Sequence, residues 1–584
     1  MIFLSLLWSL VFLPSVVFAA FGWTDNGSEY VIDSGADLVI KVTKCCGDIS
    51  SLNFKGVEYN GWGGKNSHVE SGGGKGLGAS TVSIASYTNV IKVSVVHGEF
   101  QTLKHWIFVR YGNNNVYLFT NKADNSVSAM RYIVRIKGGL FSHGSTESDF
   151  YDGSSSIIEA QDINVNGAGL TKSKHYQGSN YGRRLPRPQE KRCWSVHDPK
   201  QPRDKSANST HVTLLHTNTP HKASGGPFFR SLVRRADPTG EDLYDIYYYN
   251  MGHTDPMRTG LQGPSVLAFT SGEDPNGNLF ARKADWSWFD DKGVRTLHPL
   301  LRSYGLDGWI PASGRGYASG VGLSNMKSGK TYVVGLSNSV AQYWGTAGAG
   351  GAWSITKVIP GTYTLTVYKD ELEVATSSVT IKAGAGTAVN TIACVDPQDA
   401  ATIWRIGEWA CAYDGVDGTP KGFLNFEDTP LKLTYMHPSD SRISTWNAGN
   451  FIVGTHSTNR FPGYMWKEVN NGYIIYFKLT ADQLKSGHTV RIGLTEAYIG
   501  GRPAINVNSW ASPLPAATNQ ASTRSLTVGT YRGNNVKLTY AVPQSAWIQS
   551  TGEWQVLTIN IISGSSGTKF LSPGVSFDAI ELLP

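Results

Sequence analysis

Short runs in which apolar and polar residues alternate with a period of two, punctuated by Gly, Asn and Asp, constrain this chain more than any single motif. Asp37-Leu38-Val39-Ile40-Lys41-Val42 and Asn89-Val90-Ile91-Lys92-Val93-Ser94-Val95 are two such runs. Successive side chains on a strand point to opposite faces, so this pattern predicts half-buried strands joined by tight turns. The texture holds from Ser28 to about Ile136 and again past His253 to about Gly305, which predicts a large antiparallel sandwich. Charged residues make up only 17 %, and Gly contributes 65 positions, as expected of a loop-rich extracellular β-protein with few long amphipathic helices.

At 584 residues the chain is too long for one core. Near Gly308-Trp309-Ile310-Pro311-Ala312-Ser313-Gly314-Arg315-Gly316 the texture gives way to small residues, and a compact strand-rich stretch follows, including Gly361-Thr362-Tyr363-Thr364-Leu365-Thr366-Val367-Tyr368. A third unit starts around Trp404-Arg405-Ile406-Gly407 and ends at Phe577-Asp578-Ala579-Ile580-Glu581-Leu582, with a jelly-roll pattern of alternation. The expected division is 1–19 signal peptide, 20–307 β-sandwich, 308–396 seven-stranded-type sandwich and 397–584 jelly roll.

The first 19 residues are apolar and end in small residues before Ala20, the form of a secretory signal rather than of a membrane anchor. No second stretch reaches the roughly 18 apolar residues that a span requires, so a soluble, secreted monomer is expected. Sequons at Asn26 and Asn208 suit that route. The five cysteines, at 45, 46, 193, 394 and 411, fit no zinc spacing and predict one or two disulfides, Cys394 with Cys411 being the preferred pair. A net charge of +7 is modest, but Lys172, Lys174, Arg183, Arg184, Arg187, Lys191 and Arg192 form a basic band that is either a solvated loop or a contact for an anionic polymer. No nucleic-acid fold signature accompanies it.

Hydrolysis of a polysaccharide needs two placed carboxyl groups, and no acidic residue stands out from ordinary turn or surface positions. β-Elimination from a uronic acid needs instead a cation to neutralise the carboxylate, a base for the C5 proton and an acid for the leaving oxygen. Arg131 and Arg135 lie four apart in Met130-Arg131-Tyr132-Ile133-Val134-Arg135-Ile136 and would share one strand face with Ile133 between them, as a solvated pair or as a carboxylate clamp. Lys174 and His253 are base-capable, and each also reads as an ordinary surface or turn residue. In the run Tyr247-Tyr248-Tyr249, alternation predicts that Tyr247 and Tyr249 project together toward a sugar while Tyr248 enters the core.

These residues sit among motifs that resemble the fungal rhamnogalacturonan lyases of polysaccharide lyase family 4. The motifs include Thr171-Lys172-Ser173-Lys174, Ser224-Gly225-Gly226-Pro227-Phe228, Gly260-Leu261-Gln262-Gly263-Pro264, Ala312-Ser313-Gly314-Arg315-Gly316 and Ala341-Gln342-Tyr343-Trp344. In the last unit Met436-His437-Pro438-Ser439-Asp440-Ser441-Arg442 and Gly500-Gly501-Arg502-Pro503 continue the likeness, which runs almost from Ala20 to Pro584. The resemblance implies an all-β chain: a galactose mutarotase-like sandwich, a fibronectin type III-like domain and a carbohydrate-binding-like jelly roll.

It further implies cleavage of the rhamnose-α-1,4-galacturonate bond of rhamnogalacturonan I, with the catalytic lysine at Lys174 and the catalytic histidine at His253. Arg131 and Arg135 would then neutralise the uronate, and Tyr247 and Tyr249 would line the cleft. His175, beside the lysine, departs from the family pattern and could compete with His253 as the acid. No catalytic metal is expected, and the jelly roll leaves room for a structural calcium with Asp578 as its candidate ligand. The rival readings are a pectin-binding protein without activity and a hydrolase of the same polymer.

Overall fold

The computed structural model describes the chain from residue 21 onward, except 71–75, 100–101, 123–128, 139, 141–142, 145–155, 159–162, 166–170, 174, 177–192, 198–209, 217–231, 238–239, 250–257, 272–303, 311, 371, 410–448, 466, 468–469, 498–499, 518–535 and 564–573. The fold is all-β, with only short 3-10 turns between strands among the described residues.

Two sheets form the first unit. The larger has eight strands, in the order His143–Gly144, Cys193–His197, Thr210–His216, Gly260–Ser271, Asn115–Lys122, Leu103–Arg110, Val90–His97 and Ser80–Tyr87. Facing it, a five-stranded sheet runs His175–Tyr176, Leu232–Asp237, Gly240–Tyr249, Ala129–Lys137, His68–Glu70. An N-terminal meander from Gly22 to Glu58 adds five more strands.

The alternation in the sequence explains why the sheets stack. Val93, Val95, Ile107 and Val109 of the large sheet and Met130, Tyr132, Val134 and Ile136 of the small one belong to one buried cluster. Their intervening neighbours point away from it. Burial of this apolar area at about 25 cal/mol per Å² is the main stabilising term of such a sandwich.

The second unit pairs a four-stranded sheet, Gln342–Thr346, Tyr332–Ser337, Gly361–Lys369 and Leu372–Ile381, with a three-stranded one built on Gly316–Gly320. Its link to the first unit is polar: Arg258, 7 % exposed, donates to the Ser337 hydroxyl at 2.8 Å and the Asn338 carbonyl at 3.2 Å. Thr259 N–H donates to Ser339 O at 2.9 Å.

The third unit consists of two five-stranded sheets enclosing their own buried cluster from Trp404 to Leu582. At its junction with the second unit, Lys369 donates to Asp396 and, at 2.7 Å, to the Trp409 carbonyl, with Lys369 1 % exposed. The Trp409 indole is buried in the cluster of the second unit and sits under Arg491 of the third, 5.1 Å from ring centre to guanidinium. Gly493 is required there, since a Cβ would lie 2.6 Å from the indole. Glu581, fully buried on the last strand, accepts from both Arg405 and Arg491.

Two cysteine expectations meet different outcomes. Cys45 and Cys46 form a disulfide between chain neighbours. Cys394 is a buried free thiol and not half of the expected pair; Cys411 lies outside the described residues.

Candidate active site

The strand Ala129–Lys137 is the centre of the site. It pairs on one side with His68–Glu70, matching Arg131 to Glu70 and Ile133 to His68. On the other side it pairs with Gly240–Tyr249, matching Arg131 to Ile246, Ile133 to Tyr244 and Arg135 to Asp242. Paired residues share a face, so Arg131, Ile133 and Arg135 lie with Glu70, His68, Asp242 and Tyr244 on the face turned away from the core. The four-residue spacing read in the sequence therefore does put both guanidinium groups on one side.

What that spacing could not reveal is that each guanidinium already meets a carboxylate. Arg135 donates from Nη1 to Asp242 Oδ2 at 2.8 Å, and the Tyr244 hydroxyl donates to the same oxygen at 2.8 Å. The Arg135 side chain is 5 % exposed and that of Asp242 0 %. A buried ion must be paired and hydrogen-bonded, and here both conditions hold within the sheet. Arg135 is thus an internal partner of Asp242, which corrects the expectation that it reaches a uronate. Arg131 donates from Nε to Glu70 and lies 4.8 Å from the Tyr244 ring centre, its side chain still 14 % exposed. It retains an edge toward solvent.

His68 completes the row. Its Nδ1–H donates to Asn66 O at 2.6 Å, and the ring is 4 % exposed. Burial pulls its pKa down to about 4; the bond to Asn66 opposes this, and the Arg135 and Arg131 charges add to the lowering. His68 is therefore a neutral imidazole at physiological pH. Glu70, Asp242 and His68 were absent from the sequence-derived site; the His68-Val69-Glu70 alternation puts two of them on one face, but their partners depend on register across 61 and 107 residues.

The tyrosine expectation is corrected. Between Met130 and Arg131 the register slips: Met130 pairs with Tyr248 and Arg131 with Ile246, leaving Tyr247 as the extra residue of a bulge. Uninterrupted alternation, on which the joint projection of Tyr247 and Tyr249 rested, ends there. Tyr247 is 3 % exposed and belongs to the buried cluster between the sheets. Burial, and then the charge of Asp245, hold its hydroxyl pKa well above the ordinary value. Tyr249 pairs with Ala129 at the end of its strand.

Lys174 and His253 lie outside the described residues. Ser173, before Lys174, ends a strand of a separate three-stranded sheet, and His175, after it, begins the edge strand of the five-stranded sheet. His175, next after Lys174, pairs with Arg235, which pairs with Asp242, which pairs with Arg135. The Gly240–Tyr249 strand ends four residues before His253. Asp578, 6 % exposed, sits on the terminal strand Val575–Leu583, and no group of three or more His, Cys, Asp or Glu able to hold a metal occurs among the described residues. Nor is any helix among them long and apolar enough to cross a membrane.

Three segments of the chain match known families in order. Residues 21–296 match the family described as rhamnogalacturonan lyase B, N-terminal, residues 314–389 match polysaccharide lyase family 4, domain II, and residues 402–582 match polysaccharide lyase family 4, domain III. The chain is 35 % identical over 588 aligned residues to a rhamnogalacturonate lyase A of Emericella nidulans, covering 99 % of this chain and 98 % of the relative. Rhamnogalacturonate lyase A of Aspergillus aculeatus is 33 % identical, with 99 % of each chain covered. A putative rhamnogalacturonase of Neurospora crassa is 34 % identical over 97 % of this chain and 96 % of its own.

A sandwich whose outer face pairs two arginines with two carboxylates, followed by a fibronectin type III-like and a carbohydrate-binding-like domain matched to a lyase family, belongs to a modular polysaccharide-degrading protein. The chain belongs to polysaccharide lyase family 4.

Proposed function

We propose that this chain is a secreted rhamnogalacturonan endolyase, cleaving the rhamnose-α-1,4-galacturonate bond of rhamnogalacturonan I. The observation that carries this reading is the ordered match of all three segments, together with relatives named as lyases that align over nearly the whole chain. In the reaction Lys174 takes the C5 proton, the C4–O bond breaks, the electrons form the C4–C5 double bond, and His253 gives a proton to the departing rhamnosyl oxygen. A 4,5-unsaturated galacturonosyl end remains. Arg131, with its solvent-facing edge, neutralises the uronate carboxylate, which makes the C5 proton acidic enough to remove. The protein acts as a monomer, without a catalytic metal and without nucleic-acid or membrane partners; any calcium near Asp578 is structural.

Incubation with rhamnogalacturonan I tests the reading through absorbance at roughly 235 nm, which a conjugated unsaturated uronate produces and a hydrolysis product does not. New reducing ends without absorbance would identify a hydrolase. Binding without new ends would identify a non-catalytic protein. Lys174→Ala and His253→Ala should each cut product formation by roughly 100-fold or more, with an unchanged melting temperature.

A further inference from the structure

The third unit has a sheet face that the elimination chemistry does not use. Its strands Tyr473–Lys478 and Trp554–Ile561 pair antiparallel, and Pro503–Val507 pairs with the second of them. Along each strand one set of side chains is fully buried: Tyr473, Ile475 and Phe477 on the first, Gln555, Leu557, Ile559 and Ile561 on the second. The alternate set faces outward. Among these, Tyr476 pairs with Val556, Lys478 with Trp554, and Thr558 with Asn506.

This outward set differs from an ordinary solvated sheet face. Trp554 is a 41 % exposed indole at one end of the strip, with the Tyr476 ring edge-on at 6.3 Å. The Lys478 ammonium lies 4.6 Å from the indole centre. At the other end Asn560 donates to Asn506 Oδ1 at 2.9 Å, so the two amides orient each other while each keeps its second group for a ligand. Thr558 lies between them and the aromatic end. Six residues of strand separate Trp554 from Asn560, about 20 Å, the length of a short run of sugar rings.

The chemistry selects the occupant. Aromatic faces stack on the apolar C–H faces of sugar rings, amides and a hydroxyl satisfy sugar hydroxyls, and an ammonium at the edge of the stacking ring meets a ring carboxylate. We propose that this strip binds an acidic polysaccharide chain, with Trp554 and Tyr476 stacking, Lys478 contacting a uronate, and Thr558, Asn506 and Asn560 holding hydroxyls. The polymer class follows from the function proposed above; the strip itself does not depend on cleavage.

Affinity electrophoresis of the full chain through gels containing polygalacturonate, a uronate polymer without the scissile rhamnose linkage, or neutral galactan tests the proposal. The expected result is retardation by polygalacturonate alone, weakened roughly tenfold by Trp554→Ala and by Lys478→Glu, while release of unsaturated product from short rhamnogalacturonan oligosaccharides stays unchanged. Should Trp554→Ala lower the melting temperature, the charge reversal at exposed Lys478 decides the matter. Equal retardation of parent and Lys478→Glu, or equal retardation by galactan and polygalacturonate, would overturn the proposal. Absence of unsaturated product with retardation intact would instead refute the lyase reading and leave the strip standing.

Discussion

Arg135 and Asp242 face each other across adjacent strands, 2.8 Å apart and almost wholly removed from water, on the side of the small sheet opposite to its core. This pair joins the strand that also carries Arg131 to its neighbour. Breaking it by Asp242→Ala should cost about 3–5 kcal/mol in urea unfolding, because it strands a buried guanidinium. The double change Arg135→Met with Asp242→Leu should recover most of that loss, since it removes both charges and keeps the volume.

Arg131 should behave differently. Arg131→Ala is expected to lower kcat/KM on rhamnogalacturonan roughly 10- to 100-fold, the scale of one lost charged hydrogen bond. Glu70 is 2 % exposed and would be left uncompensated, so the double change Arg131→Ala with Glu70→Gln is the proper control. A rate loss that persists in the double variant belongs to the substrate contact; one that disappears belongs to the fold.

Acidification should act through His68. Its native pKa of about 4 lies below the ordinary 6.5, so between those values the unfolded chain binds more protons than the folded one. The stability His68 contributes is complete above pH 6.5 and is lost as pH falls toward 4, about 3 kcal/mol at most. Asp48 runs the other way: burial raises its carboxyl to about 7 from 3.8, so its contribution is present at low pH and lost as pH rises through that window. Chemical denaturation at pH 4.5 and 7 should therefore show a smaller acid loss for His68→Gln than for the parent and a larger one for Asp48→Asn.

Chelation separates structure from catalysis at Asp578. Excess EDTA should leave the initial rate of unsaturated product formation unchanged. If calcium binds there, EDTA should lower the melting temperature of the parent and not that of Asp578→Asn. A rate that collapses at constant melting temperature would contradict the metal-free elimination.

Much of the framework was legible because sandwiches announce themselves through period-two alternation. Met130, Tyr132, Val134 and Ile136 enter the core as their spacing demands, and Arg131 and Arg135 emerge together on the other side. Tyr247 was misread because the buried face of a strand is set by its pairing: Tyr247 shares the parity of Leu243 and Asp245, which pair with the core residues Val134 and Tyr132. Glu70 and Asp242 were missed for the same reason: a carboxylate 61 or 107 residues away looks like any surface acid until register places it. Cys394 looked like half of a cross-link at a junction, yet its thiol is buried among apolar neighbours of the second unit.

The indole of Trp409 makes the last two modules poor candidates for cassette exchange. It belongs to the apolar interior of one module while its ring lies against Arg491 and Gly493 of the next, and its carbonyl holds Lys369. A graft of either module onto another chain would leave a naked ring, an empty slot or a stranded ammonium. Within its own chain the same wedge ties the sheet of Arg491 and Gly493, which shares a buried core with the sheet bearing Trp554, to the fibronectin type III-like spacer, so a polymer gripped at Trp554 would pull on a packed module rather than on a tether.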